Sequence, residues 1–339
     1  MSTSPIEHCL LRENIGCSSK VSSVVLAELA ELGLLGPVWD DAAAIDLPGQ
    51  RLLATIDLIH LPCTQLDLAG QILVQHCAND LYAKGARPLA GLSLILYPAK
   101  LDNQRTHFLR EVSRGIQTAA QRAAFAVIGG HTMHNPECLI GLALLGQLPP
   151  GQPLVPKQGA QPGDRLILTK PLSALYALYA HQSRPADLTQ LRDRAFQNML
   201  AVHDCVPWRP EIRACTDISG FGLVGHLLEM LAGTSHGATL EFLPSVVDGE
   251  INGFAEAPMC ALERNARSYA AHFHGPSALA FDHRLFAPET SGPLLLAVAP
   301  HAAGPFLRDL QACGFSKAAE IGEVTHHPGI AFSPCPSGS

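Results

Sequence analysis

Apolar residues follow two alternating styles along this chain. Short runs rich in Leu, Ile and Val occupy 51–58, 89–97, 126–128 and 138–145, while between them apolar residues return every three or four positions. The first style fits strands with at least one buried face, the second helices with one apolar side. A helix is expected over 67–84, closed by Gly85, because glycine takes the left-handed conformation of a helix end at little cost. Another is expected over 106–122, where Leu109, Val112, Ile116 and Ala119 make a single stripe, and a short one near 24–32 precedes both. The second half restarts with a strand at 165–169. Helices follow, one of them over 223–231, with strands at 238–242, 293–299 and 319–324. Strands alternating with helices predict an α/β fold. The Pro/Gly-rich stretch LPPGQPLVPKQGAQPGD at 148–164 reads as a connector. The expected organisation is a flexible leader over 1–38, an amino-terminal α/β domain over 39–148, a linker over 149–164, a carboxy-terminal α/β domain over 165–330, and a Pro/Ser/Gly-rich tail over 331–339 that frays.

Composition narrows the class. Of 339 residues, 47% are hydrophobic and 16% charged, the profile of a compact enzyme with room for two cores. A net charge of -7 predicts no broad basic face for nucleic acid. No apolar stretch is long enough to span a bilayer, and no targeting pattern opens the chain. The ten cysteines include no CxxC pair, which reads as reduced, mostly buried thiols in the cytoplasm.

Candidate chemistry sits where these elements end. Asp40 and Asp41 lie in WDDAAAIDL, Asp57 in LLATIDL, Asp80 in CANDLYAKGARP and Asp217 in ACTDISGFG. Carboxylates gathered from separate segments repel one another unless a cation lies between them. Magnesium prefers oxygen ligands and keeps company with nucleotide phosphates. Ahead of these acids, Gly16-Cys17-Ser18-Ser19-Lys20 sets a thiol three residues from an ammonium. A nearby cation increases a thiol's thiolate fraction, and Lys20 is equally able to neutralise a terminal phosphate. A surface cysteine on a loose leader is the plainer alternative. Acids, thiol and lysine together point to ATP chemistry on a soft nucleophile.

Three further motifs bear on that reading. Asp217 is either a metal ligand or the cap of the helix that follows; four companion acids favour the ligand. Gly220, Gly222 and Gly225 fit GxGxxG, with Glu241 at the distance of a ribose-binding acid. The residues before it make a poor strand, however, and a carboxylate stands where pyrophosphate would, so a dinucleotide site is disfavoured. Gly129-Gly130-His131-Thr132 follows the short strand at 126–128. It forms either a close backbone approach to an anion or a tight turn with no ligand. His131 and His134 lack partners at zinc spacing. GxxxxGK[ST] does not occur, which excludes a P-loop.

The ordered series GCSSKVS, WDDAAAIDL, TIDLIHLP, ANDLYAKGARPLA, IGGHTMHNPE, GLALLG, LILTKPL, ACTDISGFGLVGHLLEM, ERNARSY and PETSGPLLLAV resembles the selenophosphate synthetase (selenide, water dikinase) family. That family lies within the aminoimidazole ribonucleotide synthetase-like superfamily. The resemblance implies ATP-dependent synthesis of selenophosphate from selenide, releasing AMP and orthophosphate. It implies a two-domain α/β (α+β) fold and a homodimer whose amino domains build a shared β-barrel. By position, Cys17 and Lys20 fall on the catalytic pair and Asp41, Asp80 and Asp217 on magnesium ligands. Asp40, Asp57, Asp80 and Lys20 fall in ATP-contacting segments. Gly130, His131 and Thr132 fall on a loop that reaches nucleotide in the other subunit. The chain departs from the pattern at Ser19, His76, Ser173, Ala287 and Pro293, where the family usually has Cys, Asn, Gly, Asp and Gly. The alternative is an ATP-binding paralogue with another phosphoryl acceptor or without turnover.

Overall fold

A computed structural model describes residues 15–20, 40–183, 188–247, 259–275 and 282–333; the helix expected near 24–32 lies outside them. Strands β1 (Ala43–Leu47) and β2 (Gln50–His60) form a hairpin around Pro48-Gly49, where Gly49 has φ of 78°. Helix α1 (Leu66–Ala83), strand β3 (Arg87–Tyr97), helix α2 (Arg105–Arg122) and strands β4 (Ala126–His134) and β5 (Leu139–Gln147) follow. The sheet order is β1-β2-β5-β3-β4. All its pairings are antiparallel except β3 with β4, and α2 provides the crossover that a parallel pair requires. Both helices pack on one face. Strand alternation sends Leu53, Thr55, Asp57 and Ile59 toward that face and leaves Ile56 and Leu58 on the other, where Ile56 is 68% exposed.

The second sheet has the order β7-β10-β6-β11-β8-β12-β9. Its strands are β6 (Arg165–Leu168), β7 (Ile212–Asp217), β8 (Gly237–Leu240), β9 (Phe273–His274), β10 (Leu294–Val298), β11 (Ala319–Thr325) and β12 (Gly329–Phe332). Helices α3 (Ala174–Ser183), α4 (Thr189–Met199), α5 (Gly222–Leu231), α6 (Cys260–Tyr269), α7 (His283–Phe286) and α8 (Pro300–Ala312) complete the described chain. Strand β10, LLLAV, is buried throughout, as its uninterrupted apolar sequence requires. Edge strand β7 lies against α1 and so brings Asp217 of one domain to Asp80 of the other. Among the described residues no helix is long and apolar enough to cross a membrane.

Four expectations change. The strand expected at 126–128 runs on to His134, so Gly129-Gly130-His131-Thr132 is neither a turn nor a loop. Pairing with β3 holds it extended, and a Cβ at Gly130 would strike the Ser93 carbonyl. The supposedly poor strand before Gly220 is β7. The dinucleotide reading fails for a different reason, because β7 is an antiparallel edge rather than a parallel strand. The chain does not fray directly after Ile330, since Ala331 and Phe332 extend β12 between β8 and β9. Finally, the connector is packed rather than loose: Val155, Lys157, Ala160 and Asp164 are buried, and Pro156 O accepts from Cys215 N.

Candidate active site

The described part of the leader is a tight turn wedged against both domains. Ile15 is fully buried, and Gly16 O accepts from His60 N at 3.2 Å. Cys17 N donates to Thr290 Oγ1 at 2.9 Å, and Ser18 O accepts from Arg264 at 2.9 Å. His60 bridges Ser19 Oγ and Glu137. Lys20 lies along Gly220, where an added Cβ would come within 2.6 Å of the lysine stem. The glycine of ISGFG therefore makes room for Lys20 rather than for a phosphate. The ammonium sits 4.9 Å over the Phe221 ring and 3.5 Å from Ser219 Oγ. Burial works against its charge, but Asp57, Cys17, Asp80 and Asp217 hold its pKa above the ordinary lysine value.

The five aspartates divide into two groups. Asp40 and Asp41 face lysines. Lys84, fully buried at the end of α1, pairs with Asp40 and, at 3.0 Å, with Asp41; Lys157 of the connector pairs with Asp41 at 2.7 Å and with Glu229 at 2.9 Å. Burial would raise the Asp41 pKa, yet Lys157 and Lys84 drive it well below the carboxylate range. A metal at Asp41, as sequence position implied, has to share it with this lysine pair.

Among the described residues neither Asp80 nor Asp217 forms an ion pair with a lysine, although Lys20 lies near both. Burial, Asp57, Asp217 and Asp41 together push the Asp80 pKa far up, against the Thr55 Oγ1 that donates to it at 2.5 Å. Burial and Asp41 raise that of Asp217 despite His226, His76 and Lys20 nearby. Asp217 Oδ2 is buried and has no hydrogen bond among the described residues. Nor does Asp217 cap α5, whose N-cap is Phe221 and lacks a side-chain bond. An oxygen-rich, mutually repelling group with an orphaned carboxylate oxygen fits magnesium. Among the described residues no three His, Cys, Asp or Glu converge to hold a metal alone. That suits an ion that takes one or two carboxylates and fills its shell with phosphate and water.

Gly130, His131 and Thr132 are not brought to these acids by any described hydrogen bond or ion pair; they lie on the exposed edge strand β4. Sequence reasoning missed Thr55, Lys84, Lys157, His226, Glu229, Thr290 and Ser291. Spacing of three on one helix signals the His226–Glu229 pair, bonded at 3.1 Å. Nothing local signals Lys157, whose partners lie 116 residues before it and 72 after.

Comparison with known proteins bears on this arrangement. Residues 39–148 match the model for the AIR synthase related protein N-terminal domain, and residues 161–333 that for the C-terminal domain. The chain is 32% identical to selenide, water dikinase of Myxococcus xanthus, covering 96% of this chain and 95% of that protein. The chain belongs to the selenide, water dikinase family. Another member, from Pelobacter propionicus, is 33% identical over 85% of this chain and 84% of its own length. The fold is shared more widely than the family. Thiamine monophosphate kinase from Aquifex aeolicus superimposes with a TM-score of 0.61 at 17% identity, covering 92% of this chain and 96% of that one. The structure of AaThiL complexed with AMPPCP and TMP gives 0.61 at 18%, covering 93% and 95%.

Proposed function

We propose that this chain transfers the γ-phosphoryl group of ATP to selenide, giving selenophosphate, and hydrolyses the remaining ADP to AMP and orthophosphate. The observation that carries the reading is the docked turn that sets Cys17 and Lys20 against the acid group Asp57, Asp80 and Asp217. The names of its relatives and an AMPPCP-bound neighbour of the same fold support ATP and selenide as substrates.

Asp80 and Asp217 would hold magnesium, with Asp41 beside them, and the ion would cancel charge between acids and triphosphate. Lys20, kept cationic by its acidic neighbours, is the group that stabilises the γ-phosphate. Cys17 handles selenide beside it. With the turn seated, bulk water is excluded from the first transfer and is admitted for the second.

A dimer fits the same reading. Ile56, Leu58, Leu92, Met133 and Leu145 are exposed on the five-stranded sheet, an apolar face that a second copy would cover. Gly130, His131 and Thr132 at its open edge are then the residues offered to a partner's nucleotide.

Anaerobic phosphorus NMR of ATP with this protein, with and without selenide, tests the activity. Selenophosphate, AMP and orthophosphate in equal amounts support it; bound ATP with no selenide-dependent AMP contradicts it and leaves an ATP-binding relative without turnover.

A further inference from the structure

Cys17 has a specific partner. Its Sγ lies 2.9 Å from Nε2 of His76, a side chain of α1 that is almost completely buried. The opposite ring nitrogen, Nδ1, receives the backbone N–H of Ser291 at 3.1 Å. A nitrogen that accepts an N–H carries no proton, so the proton of the neutral ring belongs on Nε2. The sulfur is then the acceptor of the 2.9 Å contact. Asp57 Oδ2, 3.6 Å from the same Nε2, gives that proton a negative neighbour besides the sulfur.

One loop arranges both partners. Thr290 accepts the Cys17 N–H, and Ser291 donates to His76 from a left-handed backbone with φ of 51°. Residues other than glycine adopt that region at a cost, and such strain collects at working sites. Ser291 Oγ donates to Met199 O at 2.6 Å and secures the conformation. Burial opposes charge on the His76 ring, while Cys17 and Asp57 favour it and lift its pKa to about 10. A second proton on Nδ1 would nevertheless face the Ser291 N–H, so the hydrogen bond decides for the neutral ring.

We propose that His76 is a positioning residue that donates Nε2–H to the Cys17 sulfur, holding it as an acceptor toward the acid group, and does not act as a base on it. The same N–H is offered to a soft anion at that point, and hydroselenide is such an anion if the function proposed above holds. No proton changes hands in this role, which depends on that function only for the identity of the anion.

Two measurements on the full chain, neither needing ATP or selenide, test it. Nitrogen-15 histidine NMR at neutral pH, with the His76 signals assigned by their loss in His76→Gln, should show a protonated Nε2 and a bare Nδ1. A proton on Nδ1, alone or together with Nε2, overturns the proposal. Alkylation of Cys17 by iodoacetamide, followed by peptide mass spectrometry against exposed Cys260, should slow about tenfold in His76→Leu. His76→Gln, which keeps a side-chain N–H, should restore the rate to within about threefold of the parent. An unchanged or faster rate in His76→Leu, or no recovery in His76→Gln, overturns the donor role. The parent's NMR spectrum decides if the leucine variant does not fold. An intact ring signature without selenide-dependent AMP would count against the proposed function alone.

Discussion

Asp41 and Asp217 are alike in residue type and burial, and opposite in electrostatic fate. Asp41 receives Lys157 and Lys84 and is held well below the ordinary carboxylate range. Asp217, with Asp80 across the domain boundary, meets other carboxylates and is pushed above it. A buried acid whose cation is built into the chain supports the fold. One left among acids opposes folding until a cation arrives, and its retention makes sense only as part of a site. The bare Asp217 Oδ2 is the geometric counterpart of that difference.

The comparison can be broken from either side. The largest effect is expected from Lys157→Met, which leaves Asp41 and Glu229 buried with one cation fewer. Chemical denaturation should show a loss of about 3–5 kcal/mol, the usual result of orphaning a buried charge. Acid titration should expose the same network. Burial raises the Glu229 pKa, but His226 and Lys157 outweigh it and bring it from 4.5 to about 2. Because the folded value lies below the unfolded one, its contribution is complete above about pH 4.5 and is lost as pH falls toward about 2. That contribution is about 3 kcal/mol at most. In Glu229→Gln the acid limb of a stability-versus-pH curve should flatten over that window.

On the unpaired side the consequences reverse. Asp217→Asn should lower selenide-dependent AMP formation about a hundredfold or more, as removal of a charge-stabilising group does, with the fold intact by circular dichroism. The smallest effect is the most unusual in sign. Without magnesium, Asp80→Asn should be slightly more stable than the parent in chemical denaturation, because a carboxylate with a raised pKa costs stability at neutral pH.

Much of this was legible before any coordinates. The helix expected over 67–84 is Leu66–Ala83, and Gly85 has the left-handed φ of 74° anticipated for its end. Regular periodicity and an end signal were both present there. The strands β1, β9 and β12 were missed because they are short, and β7 was misjudged because Arg213, Thr216 and Asp217 interrupt its apolar pattern. The acids themselves stood out as polar residues closing apolar runs. Their division into two groups did not, because it depends on where Lys84 and Lys157 reach, and a connector lysine gives no local sign of its partners. The edge position of Gly130, His131 and Thr132 was hidden for a related reason: strand pairing with β3 outweighed the turn preference of two adjacent glycines.

The central claim is that Asp80 and Asp217 lack a cation that Asp41 already has. Its most direct test is the melting temperature of the parent and of Asp217→Asn, each with and without magnesium and AMPPCP. A large magnesium-dependent rise in the parent that nearly vanishes in Asp217→Asn is the predicted result. An equal rise in both proteins, or a rise abolished only by Asp41→Asn, would contradict the account.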